Sequence, residues 1–175
     1  MLFRSNDEAL LSRVYHQQAD LLVTRGDLDG ALALYQQSLA ITERLGDVKG
    51  KSATLHAMAN VLVTRGDLDG ALALYQQSLA LDESLGDVQG KSATLHQMAH
   101  VLVTRGDLDG ALALYQQSLA IKERLGDVQG KSATLHEMAG VLVTRGDLDG
   151  ALALYQQSLA IKERQIGRAS CRERV

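Results

Sequence analysis

The sequence predicts an all-α fold, a solenoid of antiparallel helix pairs with about eight helices, on three observations. The string VTRGDLDGALALYQQSLA begins at Val23, Val63, Val103 and Val143, a gapless period of 40 residues. Such self-similarity means that each unit uses one local structure and that neighbouring units supply each other's contacts. Within a unit the apolar residues fall at helical spacing. Each helical stretch ends on a Gly-Asp pair, which closes one helix and opens the next.

The elements follow in order from the second unit. Leu55, Met58, Ala59 and Leu62 lie at i, i+3, i+4 and i+7, one face of a first helix. Gly66 suits the left-handed conformation that closes it, and Asp67 suits the cap of the next. Ala71, Leu72, Tyr75 and Leu79 form the apolar face of that second helix. Gly86-Asp87 repeats the device before the next unit. Carried along the chain, this predicts helices over 7–25, 28–45, 48–65, 68–85, 88–105, 108–125, 128–145 and 148–165. Ala59 and Ala71 let the paired axes approach closely, and Tyr75 fills the space beside them, with its hydroxyl reaching the edge. Ser38, Ser78, Ser118 and Ser158 read as small packing residues. No alternation of period two persists, and Ala, Leu and Gln dominate, so strands are excluded.

Composition narrows the function. The chain has 175 residues, a formal net charge of −3 and no proline or tryptophan. An acidic balance argues against a broad nucleic-acid footprint. No run of about 18 apolar residues exists to span a membrane. A single cysteine, Cys171, excludes an internal disulfide framework and a zinc site of several cysteines. The termini read differently from the body. Residues 1–5 (MLFRS) and 166–175 (IGRASCRERV) resemble a translated sequencing adapter and are set aside from fold reasoning as scars. The body, 6–165, then comprises repeats 6–45, 46–85, 86–125 and 126–165 and reads as an internal fragment of a longer chain.

The pattern L-x2-M-A-x2-L-x3-GD-x3-AL-x2-Y-x2-SL, carried by Leu55, Met58, Ala59, Leu62, Gly66, Ala71, Tyr75, Ser78 and Leu79, resembles the tetratricopeptide repeat (TPR). The unit is six residues longer than the 34-residue form, with LGDVKG at the first junction, and it lacks the family's proline near the end of the second helix. The 40-residue spacing resembles the Pins/LGN-type subclass. The resemblance implies a right-handed superhelix whose first helices line a concave groove that binds a peptide. Carried over residue by residue, that groove holds His16, Asp20 and Thr24; His56, Asn60 and Thr64; His96, His100 and Thr104; and His136, Gly140 and Thr144, with Val23, Val63, Val103 and Val143 among them. Spacing alone agrees for the second copy, where 56, 60, 63 and 64 share a helical face away from Leu55, Met58 and Leu62. Asn60 matches the family's groove asparagine, whose amide suits a ligand peptide group; Asp20, His100 and Gly140 replace it elsewhere.

Near-identical copies make their differences informative. Positions 57, 97 and 137 read Ala, Gln97 and Glu137, and positions 60, 100 and 140 read Asn, His and Gly. These lie three apart on the helix surface. Other differences fall at the end of the second helix, where 42, 82, 122 and 162 read Thr, Asp, Lys and Lys, and at 49, 89 and 129. Two explanations stand: specialisation of a groove for a ligand, and drift at exposed sites, where substitutions cost within about 0.5 kcal/mol.

Other chemistry finds little support. His96 and His100 have a chelating i, i+4 spacing, but no third ligand is placed and H-E-x-x-H is absent, so no metal is assigned. A pH-sensitive groove is a further reading of the histidines. DLDG lacks the rest of a calcium loop and reads as turn and cap. Phosphate-binding glycine loops and acid–base pairs are absent, so no cofactor and no enzyme activity are expected. Arg25, Arg65, Arg105 and Arg145 read as favourable charge at helix C-termini. The leading expectation is a cytoplasmic protein-interaction module that holds a peptide or helix of a protein partner in its groove, as a piece of a larger scaffold or signalling protein. The alternative is a structural spacer or self-association segment, because the last helix has no polar cap and would pack on another repeat. Neither nucleic acid nor membrane is expected as a partner.

Overall fold

The computed structural model describes the backbone of residues 2–172 and the side chains of 6–166. Within these residues lie eight helices: α1 (Leu2–Arg25), α2 (Leu28–Leu45), α3 (Val48–Arg65), α4 (Leu68–Leu85), α5 (Val88–Arg105), α6 (Leu108–Leu125), α7 (Val128–Arg145) and α8 (Leu148–Arg172). Six of the eight spans coincide with those expected. The other two run longer: α1 starts at Leu2 instead of 7, and α8 continues to Arg172 instead of ending at 165. Met1 and residues 173–175 of the two suspected scars, and the side chains of 2–5 and 167–172, lie outside the described residues.

The turns work as the sequence suggests. Gly66 takes φ +82°, and its N–H donates to Val63 O while Asp67 N–H donates to Leu62 O at 2.9 Å. Those bonds satisfy carbonyls that α3 leaves orphaned. The Asp67 carboxylate then accepts from Gly70 N–H at 2.9 Å, capping α4. Asp27, Asp47, Asp87, Asp107, Asp127 and Asp147 make the same bond. A carboxylate at each helix start also suits the positive end of the helix dipole.

The chain forms two compact units, Met1–Thr94 and Leu95–Val175. In the first, Ala19 of α1, Ala31 and Tyr35 of α2, and Met58 and Val61 of α3 make a buried core. Ala59 and Ala71 are fully buried and Tyr75 is 1% exposed. In the second, Ala99, Leu112, Tyr115, Met138 and Val141 form the corresponding core. The small-residue crossings and the large tyrosine thus fill the positions expected of them.

The serines do more than pack. Ser12 and Ser38 lie Oγ to Oγ at 2.9 Å, Ser52 and Ser78 at 2.9 Å, and Ser132 and Ser158 at 2.8 Å, each pair joining the two helices of one repeat. Buried hydroxyls are costly unless bonded, and each of these has a partner across the helix pair. The helix-terminal arginines Arg65 and Arg145 also have partners. Arg65 reaches Asp29 at 2.8 Å and Arg145 reaches Asp109 at 2.7 Å, each bridging to the preceding repeat. Exposed pairs of this kind contribute up to about 1 kcal/mol.

Candidate functional site

The expected groove positions divide into two sets. His16, His56 and His96 are half-buried between repeats. His16 Nδ1 lies 3.2 Å from Thr54 Oγ1, and His56 Nδ1 lies 3.1 Å from Thr94 Oγ1, each threonine belonging to the next repeat. Each ring meets the tyrosine of its own repeat edge-on: His16 with Tyr35, His56 with Tyr75 and His96 with Tyr115, at centroid separations of 5.1, 5.3 and 5.1 Å. His136 makes the same contact with Tyr155 but is exposed. Asp20, Asn60 and His100 form the second set and are exposed, as are Thr24, Thr64, Thr104 and Thr144. Gln97 is half-buried, whereas Glu137 is exposed.

Several of these polar groups are already engaged. The Tyr35 hydroxyl donates to the Asp20 carboxylate, and the Tyr75 hydroxyl donates to Asn60 Oδ1. Asn60 Oδ1 therefore already accepts one bond from its own chain, and the amide nitrogen is its only donor. The four threonine hydroxyls donate back to the carbonyls of residues 20, 60, 100 and 140. That internal bond commits the one hydroxyl proton each has.

Burial sets the electrostatics. Desolvation pushes the Tyr75 and Tyr115 phenols up to about 12, with Glu137 adding to the shift at Tyr115. Tyr35 is raised too, by burial first and by the Asp20 carboxylate next. His56 is lowered by desolvation, against an opposing pull from Asp82. His96 is lowered to about 4 by desolvation, then by the Lys122 and His100 charges.

The last shift carries a linkage consequence. His96 binds its proton less readily folded than unfolded, so between pH 6.5 and about 4 the unfolded chain holds the extra proton. Stability is therefore full above pH 6.5 and falls as the solution is acidified. The urea midpoint of the wild type drops further between pH 7 and pH 5 than that of His96→Gln. In an NMR titration Lys122→Thr moves the His96 pKa up, because one of its two neighbouring charges has gone.

In the first unit an open cleft of about 330 Å³ gathers His16, His56 and Asn60 with Ser52, Asp82 and Thr94. Sequence reasoning missed the last three. Position 82 and its counterpart 42 are buried, so the variation there is not drift on an open surface. Its signal was the change of chemistry itself, from Thr42 to Asp82 to Lys122, in otherwise near-identical copies. Gly90 makes room for Asp82, while Gly50 and Gly130 make room first for the capping carboxylates of Asp47 and Asp127 and next for Thr42 and Lys122. A Cβ on Gly90 would stand 2.9 Å from the Asp82 carboxyl carbon, and one on Gly130 would stand 3.0 Å from Lys122 Cδ. Among the described residues no group of three or more His, Cys, Asp or Glu converges as a metal site. No helix there is long and apolar enough to cross a membrane.

Comparison with known proteins gives the arrangement a family. The tetratricopeptide repeat model matches residues 10–84 and 91–164. No curated protein matches the sequence significantly. Among solved structures, BtubC from P. vanneervenii is similar with a TM-score of 0.85 at 22% identity, over 95% of this chain and 70% of that one. A Podosopora anserina putative kinesin light chain with nearly identical TPR-like repeats gives 0.76 at 23%, over 90% and 77%. Aspartyl phosphate phosphatase F from Bacillus subtilis gives 0.85 at 10%, over 90% of this chain and 42% of its own. At these identities the likeness speaks for the fold, a TPR-like helical solenoid. Such repeats generally serve as protein–protein interaction modules and are typically non-catalytic scaffolds. With both repeat pairs matched, the chain belongs to the tetratricopeptide repeat family.

Proposed function

We propose that the face built by the first helix of each repeat binds a peptide or helix of a partner protein, as the interaction module of a larger scaffold or signalling protein. The observation that carries this reading is the cleft of the first unit, where His16, His56 and Asn60 line one open space of about 330 Å³. Beside it, exposed polar side chains at 20 and 60 recur at the repeat spacing. A partner burying roughly 800 Å² on each side would be ordinary for such an interface.

Selection of random phage-displayed peptides tests it. Selected peptides are expected to lose binding at least tenfold on Asn60→Asp. That variant keeps an oxygen for the Tyr75 hydroxyl, as Asp20 does for Tyr35, but removes the amide donor. A selection yielding no peptide, or only peptides indifferent to Asn60→Asp, overturns the reading.

A second reading, self-association or continuation of the array through the last helix, has its own support. Leu152 of α8 is 56% exposed, whereas its counterpart Leu112 in α6 is 9% exposed. Leu148 and Leu159 are open on the same helix. Mass measured by light scattering rises with concentration if that face pairs, and a strictly monomeric, peptide-binding chain removes this reading.

A further inference from the structure

We propose that the cleft over Asp82 is a cation-specific anchor, which receives a lysine or arginine side chain of the partner. The inference rests on the peptide-binding reading of this face and adds the chemistry of one contact.

Asp82 is 4% exposed, a carboxylate near the end of α4 set against the start of α5. Its Oδ1 accepts from Ser52 Oγ at 2.5 Å and its Oδ2 from Thr94 Oγ1 at 3.3 Å. Both are neutral hydroxyls, and a carboxylate has about four acceptor sites. The ion pairs of the first unit run between other groups, and no lysine or arginine among its described residues lies within ion-pair distance of Asp82. Lys49 and Asp87 stand on the same cleft, so the lining stays net acidic. A buried carboxylate without a cation is costly, and a charge supplied by a ligand offsets that cost on binding.

The surrounding groups are acceptors as well. Thr94 Oγ1 lies within hydrogen-bond distance of both Asp82 Oδ2, at 3.3 Å, and His56 Nδ1, at 3.1 Å; with its proton on the Asp82 side, His56 Nδ1–H donates to it. That tautomer leaves His56 Nε2 with a lone pair. The cleft thus sets a carboxylate beside an imidazole ring on one lining, a setting that suits an ammonium or guanidinium.

The second unit supplies an internal comparison. At the equivalent position Lys122 places Nζ 2.8 Å from Thr134 Oγ1 and 3.4 Å from His96 Nδ1. Thr134 donates to Gly130 O, so it accepts from Lys122. There the threonine oxygen takes the chain's own ammonium, with the histidine ring beside it. With Thr42 the first repeat provides neither charge. One residue per repeat thus sets whether the slot is neutral, acidic or basic, while the histidine and threonine stay constant.

The test uses small probes, so it does not depend on any peptide. Nα-acetyl-arginine amide and Nα-acetyl-lysine amide are titrated into the full chain, with Nα-acetyl-norleucine amide and Nα-acetyl-glutamate amide as controls. Side-chain NMR signals of the histidines are followed. The cationic probes are expected to shift His56 saturably, with dissociation constants on the order of 1–10 mM, and to leave His96 unmoved. Asp82→Thr, which installs the residue that the first repeat carries at 42, is expected to weaken the effect at least tenfold. Absence of a saturable His56 shift, an equal response to norleucine amide, or a response retained in Asp82→Thr overturns the proposal. Failure of the display experiment with a positive titration would sink the peptide-binding reading alone; the reverse result would sink the cation anchor alone.

Discussion

Tyr75→Ala lowers the unfolding free energy by about 3–5 kcal/mol. The ring is 1% exposed and sits beside Ala59 and Ala71, both fully buried at the helix crossing. Small residues on both helices bring the axes together, so the backbone cannot readily collapse into the space the ring leaves. The loss also removes the edge contact with His56 and the hydroxyl that Asn60 accepts. Tyr75→Phe isolates the hydroxyl and is expected to cost about 1 kcal/mol. Tyr155 is the internal control: the same residue in the last repeat is only half-buried, so Tyr155→Ala costs clearly less. Urea unfolding followed by circular dichroism measures all three. Because linear arrays can unfold in steps, coincidence of far-UV and tyrosine-fluorescence transitions should be checked first. Equal losses for Tyr75→Ala and Tyr155→Ala would mean that burial by the neighbouring repeat contributes little.

The backbone was legible because it depends on local chemistry. A glycine in the left-handed region followed by a capping aspartate marks each helix end within one turn, and the 40-residue period repeats that signal. The Ala59–Ala71–Tyr75 crossing was legible for the same reason, since size and spacing carry it. The side of the first helices that carries residues 56, 60 and 64 was legible only as a helix face. Its occupancy depends on contacts 15 to 38 residues apart: Tyr75 to Asn60, and His56 to Thr94. Those partners are conspicuous once the helices pair, but no periodicity within one helix points to them. Position 82 shows the limit most clearly. An aspartate near a helix end reads as solvated, whereas a glycine opposite it, Gly90, admits the carboxylate into the interface between repeats. Gly90 stands where each later helix carries a glycine three residues after its capping aspartate, and at this one the nearest atoms are those of Asp82.

Removing the Ser52 hydroxyl is expected to cost about 1–3 kcal/mol, whereas replacing Asp82 by Thr is expected to change stability by less than about 1 kcal/mol. The asymmetry comes from what each change leaves behind. Ser52→Ala keeps the buried carboxylate and takes away its shorter hydrogen bond, so Asp82 retains only the 3.3 Å contact from Thr94. Asp82→Thr removes the charge along with its need for donors. The serine hydroxyl can then turn to Ser78 O, as Ser12 does to Ser38 O in the repeat where Thr42 occupies this position. The first repeat therefore predicts its own outcome: Ser12→Ala breaks a neutral bond and should cost about 0.5–1.5 kcal/mol. In the double variant Ser52→Ala, Asp82→Thr, the loss should be smaller than that of Ser52→Ala alone, a coupling of about 0.5–3 kcal/mol between residues in direct contact. Strict additivity would mean that water already solvates the carboxylate, and it would remove the physical basis for a cation's preference for that cleft. A measured coupling instead shows that the carboxylate depends on the Ser52 hydroxyl inside the fold, a need that the first repeat, with Thr42, does not have. Where Thr would serve the fold as well, the use of a buried carboxylate is to be sought in what it binds.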